Sequence, residues 1–159
     1  MRICLAMVIA VLVGTLSLSA AEEKKKTDKN KEEKEVIVNY EVIQQGTYSG
    51  KKDAVAQVID NQKDWEQLWK QHVSVLVPQP PVPEIDFATN VVAVIYAGEK
   101  NTGGYAVVIK DVSAETDDVV VKYRLTEPQP NSFTLQVISQ PFAMLRIEKP
   151  KGNVKLVKE

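Results

Sequence analysis

The chain has 159 residues, of which 44% are hydrophobic and 26% are charged. This composition is ordinary for one soluble globular domain and excludes a wholly disordered chain, a collagen-like fibre and a multi-span membrane protein. Lysine and arginine total 20 against 21 aspartate and glutamate residues, so the basic excess typical of nucleic-acid binding is absent and we expect no nucleic-acid partner. One cysteine and one histidine exclude an intramolecular disulfide and a zinc site made from these two residue types.

The N-terminal residues 1–21 have the pattern of a secretory signal peptide. Arg2 supplies a basic start, residues 5–13 are uniformly apolar, and the segment ends in small residues up to Ala21. We therefore expect cleavage after Ala21 and export to the periplasm or the extracellular space. The alternative is an uncleaved N-terminal anchor, which is the only membrane attachment that the sequence suggests.

A charged segment without any apolar residue follows at 22–35. It has nothing to bury against a core, and its basic and acidic residues balance, so we predict a solvated, disordered spacer. Residues 36–159 then remain as a single domain. A domain of this length buries about two-thirds of the surface of its unfolded chain.

The domain is predicted to be mainly β, with one short helix. The apolar, β-branched run at 91–97 is typical of a central strand that is covered on both faces. The other segments with strand patterns are 36–43, 54–59, 105–112, 119–125, 133–137, 144–147 and 154–157. Many short strands separated by turn signals indicate a small antiparallel β-sandwich or open barrel.

A short amphipathic helix is predicted from residue 62 to about residue 73, where the hydrophobic period changes. The side chains that share its buried face are Trp65, Leu68, Trp69 and His72. Asn61 is expected to cap the N-terminus of this helix. The proline-rich stretch 78–83 lacks N–H groups that a helix or a central strand would need, so we predict an extended crossing segment there.

His72 is the single candidate for acid–base chemistry. A helix C-terminus favours its charged form, but a general base also needs an activated nucleophile nearby. The sequence has no Gly-x-Ser-x-Gly motif, and Cys4 lies within the signal segment. Asp111, Asp117 and Asp118 do not form a regular calcium-binding loop. We therefore expect no catalytic residue, no metal site, no cofactor and no enzymatic activity.

The most informative stretch is 97–105, which reads Ala-Gly-Glu-Lys-Asn-Thr-Gly-Gly-Tyr and contains three of the seven glycines. Glycine adopts positive φ angles without a Cβ clash, so such a loop turns sharply and exposes its own N–H groups. Two interpretations stay open. The stretch is either a plain connection between two strands, or a preformed loop that docks into a partner's groove with Tyr105 as aromatic support.

The same stretch resembles the C-terminal domain family of the protease complex subunit PrcB. The motifs that carry the resemblance are Ile85-Asp86-Phe87, Ala97-Gly98-Glu99, Thr102-Gly103-Gly104-Tyr105 and Ser139-Gln140-Pro141-Phe142. The tryptophan-containing helix before a proline-rich segment also fits, so the resemblance covers roughly residues 55–150. Asn101 stands where the family often has proline, and Phe142 stands where tyrosine is frequent.

This resemblance implies an exported, non-catalytic module associated with a protease complex. The expected partner is a protein, such as a secreted protease, which the module stabilises or regulates; the sequence does not predict an oligomeric state. The residues expected to contact the partner are Glu99, Lys100, Asn101, Thr102, Gly103, Gly104 and Tyr105.

The Thr-Gly-Gly-Tyr motif is also similar to the Thr-Thr-Gly-aromatic loop of chagasin-type cysteine protease inhibitors. These inhibitors are small β-sandwiches whose loop enters the active-site cleft of the protease. Here Gly103 replaces the second threonine and Asn101 replaces a proline, so the loop is less preorganised for tight binding. The alternative function is therefore a protease inhibitor acting through the loop 99–105.

Overall fold

The computed structural model describes residues 38–159. The predicted signal peptide and the predicted spacer lie outside the described residues. The elements in chain order are β1 (Tyr40–Gly46), β2 (Ala54–Ile59), α1 (Gln62–His72), β3 (Asn90–Ala97), β4 (Ala106–Glu115), β5 (Asp118–Thr126), β6 (Phe142–Glu148) and β7 (Val154–Lys158). No helix within residues 38–159 has the length and apolar character needed to cross a membrane.

The strands form two sheets, which confirms the predicted mainly β sandwich. Sheet 1 has the order β1-β6-β3-β2 and is antiparallel throughout, whereas sheet 2 has the order β4-β5-β7. The β4–β5 pair is antiparallel, but β7 lies parallel to β5. This parallel pair was not expected. It arises because β7 follows β6 of the other sheet, so no hairpin turn forces it to run antiparallel to its neighbour.

The strand predictions agree with the structure within a few residues at every position but one. The segment 36–43 lies only partly within the described residues, and there the strand runs from Tyr40 to Gly46 with a bulge between Val42 and Gln44. The segment 54–59 is β2 without any change of bounds. Local periodicity was sufficient because most of these strands have one face that is at least partly buried.

The prediction of a strand at 133–137 is wrong. This segment lies within an irregular stretch between β5 and β6, and the side chain of Phe133 is 100% exposed. Its alternation of apolar and polar residues is typical of a half-buried strand, but a strand also needs a row of backbone hydrogen bonds to a neighbouring strand. The one backbone hydrogen bond that joins residues 133–137 to a neighbouring segment runs from the N–H of Gly103 to the carbonyl oxygen of Leu135 at 2.9 Å, so no ladder forms.

Sheet 1 is the middle layer of the domain, with α1 on one face and sheet 2 on the other. Along β3, Val92 and Val94 pack toward α1, whereas Ala93 and Ile95 pack toward sheet 2. All four side chains are buried. This confirms that β3 is a central strand covered on both faces, and it explains why its sequence shows no polar alternation.

Helix α1 lies on sheet 1 through the face that the sequence indicated. The Asn61 side chain accepts a hydrogen bond from the backbone N–H of Asp64 at 3.0 Å, which confirms the predicted cap. The indole N–H of Trp65 donates to the carbonyl oxygen of Pro83 at 2.9 Å, and that of Trp69 donates to the carbonyl oxygen of Pro80 at 3.2 Å. The proline-rich segment is therefore held across the helix by both tryptophans.

Candidate functional site

The chain passes from sheet 1 to sheet 2 through residues 98–105, called the glycine loop below. Gly98 opens the loop with φ +75° and is buried. A Cβ atom at this position would lie 3.0 Å from the backbone nitrogen of Ala54. The next residue, Glu99, donates its backbone N–H to the carbonyl oxygen of Lys52 at 2.8 Å. The first turn of the loop therefore depends on a glycine packed against the start of β2.

The two adjacent glycines of the Thr-Gly-Gly-Tyr motif differ in their backbone requirements. Gly104 has φ +90°, and a Cβ atom there would lie 3.0 Å from Cβ of Pro128. Gly103 does not have a positive φ, and its nearest prospective contact is at an ordinary 3.6 Å from Cβ of Leu135. Only Gly104 of the pair is thus conformationally required.

The irregular stretch 127–141, called the long loop below, is hydrogen-bonded along the glycine loop. Lys100 and Ser139 exchange two backbone hydrogen bonds, of 2.8 and 2.9 Å. The hydroxyl of Ser139 donates to the carbonyl oxygen of Thr102 at 2.8 Å, and the N–H of Gly103 donates to the carbonyl oxygen of Leu135 at 2.9 Å. The two loops therefore form one hydrogen-bonded unit.

The residues that the sequence indicated for partner contact all lie at or near the surface. The exposed ones are Glu99, Asn101 and Gly104, and the half-buried ones are Lys100, Thr102, Gly103 and Tyr105. Within this group the Lys100 ammonium lies 5.6 Å from the centre of the Tyr105 ring, which is within cation–π range. The glycine loop is thus braced by the long loop but remains accessible.

The long loop presents apolar side chains to solvent that the sequence pattern does not predict to be exposed. Phe133 is 100% exposed, Leu135 is 68% exposed, and Val137 and Ile138 are also exposed. The only signal of this surface in the sequence is the alternating apolar pattern, which also predicts a strand with one face buried. Four large exposed apolar side chains within six residues are typical of an interaction surface.

His72 lies in the core, away from both loops. It is 1% exposed, and its ring packs against the ring of Phe142 with centroids 4.5 Å apart. Its Nε2 atom lies 3.2 Å from the side-chain oxygen of Gln44. Burial lowers the pKa of His72 to about 4, so it is neutral at pH 7. The expectation that the helix C-terminus would favour its charged form is wrong, because desolvation outweighs the helix dipole.

The aspartates near β5 have a structural role in the described part of the chain. Asp118 accepts a hydrogen bond from the backbone N–H of Asn153 at 2.8 Å and pairs with the Lys155 ammonium at 2.6 Å. The hydrogen bond from Asn153 and the contact with Lys155 both lower the pKa of Asp118. These contacts hold β7 in register beside β5. Among residues 38–159, no three His, Cys, Asp or Glu side chains cluster closely enough to hold a metal ion.

The segment from β3 to β6, which carries both loops, is similar to a known family. Residues 91–148 match the family model described as PrcB C-terminal. This match confirms the resemblance that the motifs indicated, over a narrower range than the 55–150 expected. The PrcB C-terminal segment includes the glycine loop and the long loop, whereas α1 and the proline-rich segment lie outside it. No curated protein and no solved structure matches the chain.

Proposed function

We propose that this protein is an exported, non-enzymatic module that binds a partner protein through the glycine loop and the long loop together. The observation that carries the proposal is the exposed apolar side chains of the long loop, held beside the Thr-Gly-Gly-Tyr motif by hydrogen bonds. Both loops fall within the PrcB C-terminal segment. The proposal therefore places the binding surface in the part of the chain that defines the family.

Phe133 is the residue best suited to anchor such a contact. Complete burial of a phenylalanine side chain is worth about 1.5–3 kcal/mol, and aromatic side chains are frequent among the residues that dominate binding energy. The loop backbone beside it is held by the Gly103–Leu135 and Ser139–Thr102 hydrogen bonds. A braced loop loses less conformational freedom on binding than a loose one, and this favours affinity.

The proposed partner is a secreted protease. This part of the proposal rests on the PrcB C-terminal match together with the expectation that PrcB is a subunit of a protease complex. The arrangement of the two loops favours contact with a broad surface of the protease, which would stabilise it, over insertion of one loop into its active-site cleft. Pro128 lies beside Gly104, and the N–H of Gly103 donates to the carbonyl oxygen of Leu135 at 2.9 Å, so the glycine loop does not project alone. A narrow active-site cleft would have to admit the long loop as well.

A photocrosslinking experiment tests the proposal in the cells that make the protein. A photoreactive phenylalanine analogue is placed at position 133, and a matched control carries it at position 77, because Val77 is also 98% exposed but lies outside both loops. We expect a crosslinked protein at position 133 that is absent at position 77, and mass spectrometry of that product to identify a protease. Equal products at both positions, or none at position 133, would contradict the proposal.

A second assay separates stabilisation from inhibition. The full chain is added in increasing amounts to a papain-like and a subtilisin-like protease, and the rate of peptide hydrolysis is measured. We expect both proteases to keep their activity. Dose-dependent inhibition that is lost in Gly104→Val would support the chagasin-like alternative instead.

A further inference from the structure

The edge strand β2 differs from the other edges of the sandwich. Natural edge strands are protected from pairing by lysines, prolines, charges or bulges. Among the described strands, β1 and β4 each contain a bulge, and β7 carries Lys155 and Lys158. In contrast, β2 reads Ala-Val-Ala-Gln-Val-Ile, with no charge, no proline and no bulge, and its Val58 side chain is 37% exposed.

The hydrogen-bonding pattern shows which backbone groups of β2 are free. The N–H of Ala97 donates to the carbonyl oxygen of Pro141 at 2.9 Å, on the β6 side of β3. Because successive residues of a strand alternate between their two neighbours, the even-numbered residues of β3 bond to β2. The register pairs Val94 with Gln57, so the odd-numbered residues of β2 bond to β3.

The N–H and carbonyl groups of Ala54, Ala56 and Val58 consequently point away from β3, toward the open edge. Within residues 38–159, no backbone hydrogen bond joins these groups to another element. They form a row of donors and acceptors with the spacing of a strand ladder. An extended peptide can add to such a row as a further strand.

A depression flanks this edge on each side of sheet 1. Toward sheet 2 a cleft of about 260 Å³ is lined by apolar side chains, including Ile95, Val107 and Leu125, with Lys100 and Lys158 also in its wall. Side chains of an added strand alternate between the two faces of a sheet, so every second residue would lie at this cleft.

The depression on the opposite face has a different chemistry. It is a groove of about 230 Å³ between β2 and α1, and its lining includes Gln57, Asp64, Gln67 and Gln71. The two depressions together favour an added segment with apolar side chains on one face and polar side chains on the other. The two lysines that line the apolar cleft favour an acidic residue at the end of the added segment that lies nearest to them.

We propose that β2 is a docking edge that binds an extended, amphipathic segment of a partner protein, with an acidic residue at one end, as an added β-strand. The backbone ladder supplies the affinity, and the apolar and polar depressions select alternate side chains. This edge shares only Lys100 with the proposed loop surface, so it does not depend on that surface. An experiment that contradicts one of the two proposals therefore does not contradict the other.

The test uses the full chain and a synthetic ten-residue peptide in which valine alternates with threonine and glutamate stands at one end. Binding is measured by fluorescence anisotropy of the labelled peptide, and the bound site is mapped by amide hydrogen exchange. We expect the amides of Ala54, Ala56 and Val58 to become protected when the peptide binds. We also expect replacement of the terminal glutamate by lysine to weaken binding several-fold because of Lys100 and Lys158.

Two variants at one position give a matched comparison. Ala56→Pro removes an N–H that faces the open edge while leaving the bonds from Val55 and Gln57 to β3 in place, and edge strands accept proline at such positions. We expect it to weaken peptide binding by about tenfold or more, whereas Ala56→Val, which retains the N–H, changes binding by no more than about twofold.

Equal binding by Ala56→Pro and wild type would overturn the proposal, as would protection at other amides in place of these three. Slow exchange of these amides before the peptide is added would also overturn it, because a second copy or another segment of the chain would then already cover the edge. If Ala56→Pro does not fold, as judged by circular dichroism, a peptide with alternate N-methyl groups serves instead. Unchanged binding of a peptide methylated on the β2-facing amides would likewise overturn the proposal.

Discussion

The buried hydroxyl of Ser139 donates to the carbonyl oxygen of Thr102 at 2.8 Å, across 37 positions of sequence. This bond lies between the two loops that carry the proposed binding surface. Beside it, the backbones of Lys100 and Ser139 exchange two further hydrogen bonds. The conformation of the Thr-Gly-Gly-Tyr motif therefore depends on a residue from the other loop.

Ser139→Ala should lower the free energy of unfolding by about 1 kcal/mol, because it removes one hydrogen bond at a site where Ser139 is buried. Urea denaturation followed by tryptophan fluorescence measures the change. Ser132→Ala is the matched control. The Ser132 hydroxyl also donates to a backbone carbonyl, that of Gln129, but this bond lies within the long loop and is exposed. Equal losses in the two variants would contradict a specific role for the Ser139–Thr102 bond.

Gly104→Ala should destabilise the fold by about 1–3 kcal/mol, because the backbone at Gly104 is in the left-handed region and the new Cβ would meet Pro128. Gly103→Ala should lower the free energy of unfolding by less than about 1 kcal/mol. Its φ is ordinary, and the new Cβ would lie 3.6 Å from Cβ of Leu135, an ordinary van der Waals distance. Thermal unfolding of the two variants side by side gives the comparison. A larger loss in Gly103→Ala than in Gly104→Ala would contradict the observed loop geometry.

Trp69→Ala should lower the free energy of unfolding by about 3–5 kcal/mol, because it empties a buried site between α1 and sheet 1. It also leaves the carbonyl oxygen of Pro80 without the indole N–H. Chemical denaturation measures this loss, and Lys70→Ala on the exposed side of α1 serves as the control, with a change within about 0.5 kcal/mol. A loss below about 1 kcal/mol in Trp69→Ala would mean that the helix does not pack as observed.

His72 should make stability depend on pH between about 4 and 6.5. Its pKa in the folded state is lowered to about 4 by burial, whereas the ordinary value is 6.5. The unfolded chain therefore binds more protons in this window, and the folded state becomes less stable as the pH falls through it. The full contribution of His72 to the free energy of unfolding is about 3 kcal/mol. It is present above pH 6.5 and is lost as the pH falls to about 4.

The pH dependence is checked by urea denaturation from pH 4.5 to pH 7.5 in wild type and in His72→Gln, which keeps a polar neutral group at this site. The carboxylates titrate in both proteins, so the difference between the two curves isolates His72. We expect the stability of His72→Gln to fall less steeply with decreasing pH. Parallel curves would show that His72 becomes protonated without cost and is not enclosed by Phe142 and the tryptophans.

Much of the fold could be predicted from local pattern. The helix was placed to within one residue because Trp65, Leu68, Trp69 and His72 follow the helical period and Asn61 supplies a cap. The central strand was recognised because an unbroken apolar run is stable only where both faces are covered. The direction of β7 could not be predicted, because it depends on which sheet edge the chain reaches after β6.

The candidate site was predicted only in part. The glycine loop stood out by its composition, but nothing local distinguishes Gly104, which needs a positive φ, from Gly103, which does not. The long loop was misinterpreted as a strand, because the alternation of Phe133, Leu135 and Val137 carries no information on whether a partner ladder exists.

The secondary elements with a buried face, the motifs of the glycine loop and the position of that loop depend on residues a few positions apart, so the amino-acid pattern is enough to predict them. The contact of the long loop with the glycine loop, the exposure of Phe133 and the open edge of β2 become visible only in the folded chain. These features depend on hydrogen bonds and packing between segments far apart in the chain, such as Lys100 with Ser139. Local periodicity cannot specify such pairings, since many of them bury similar apolar area.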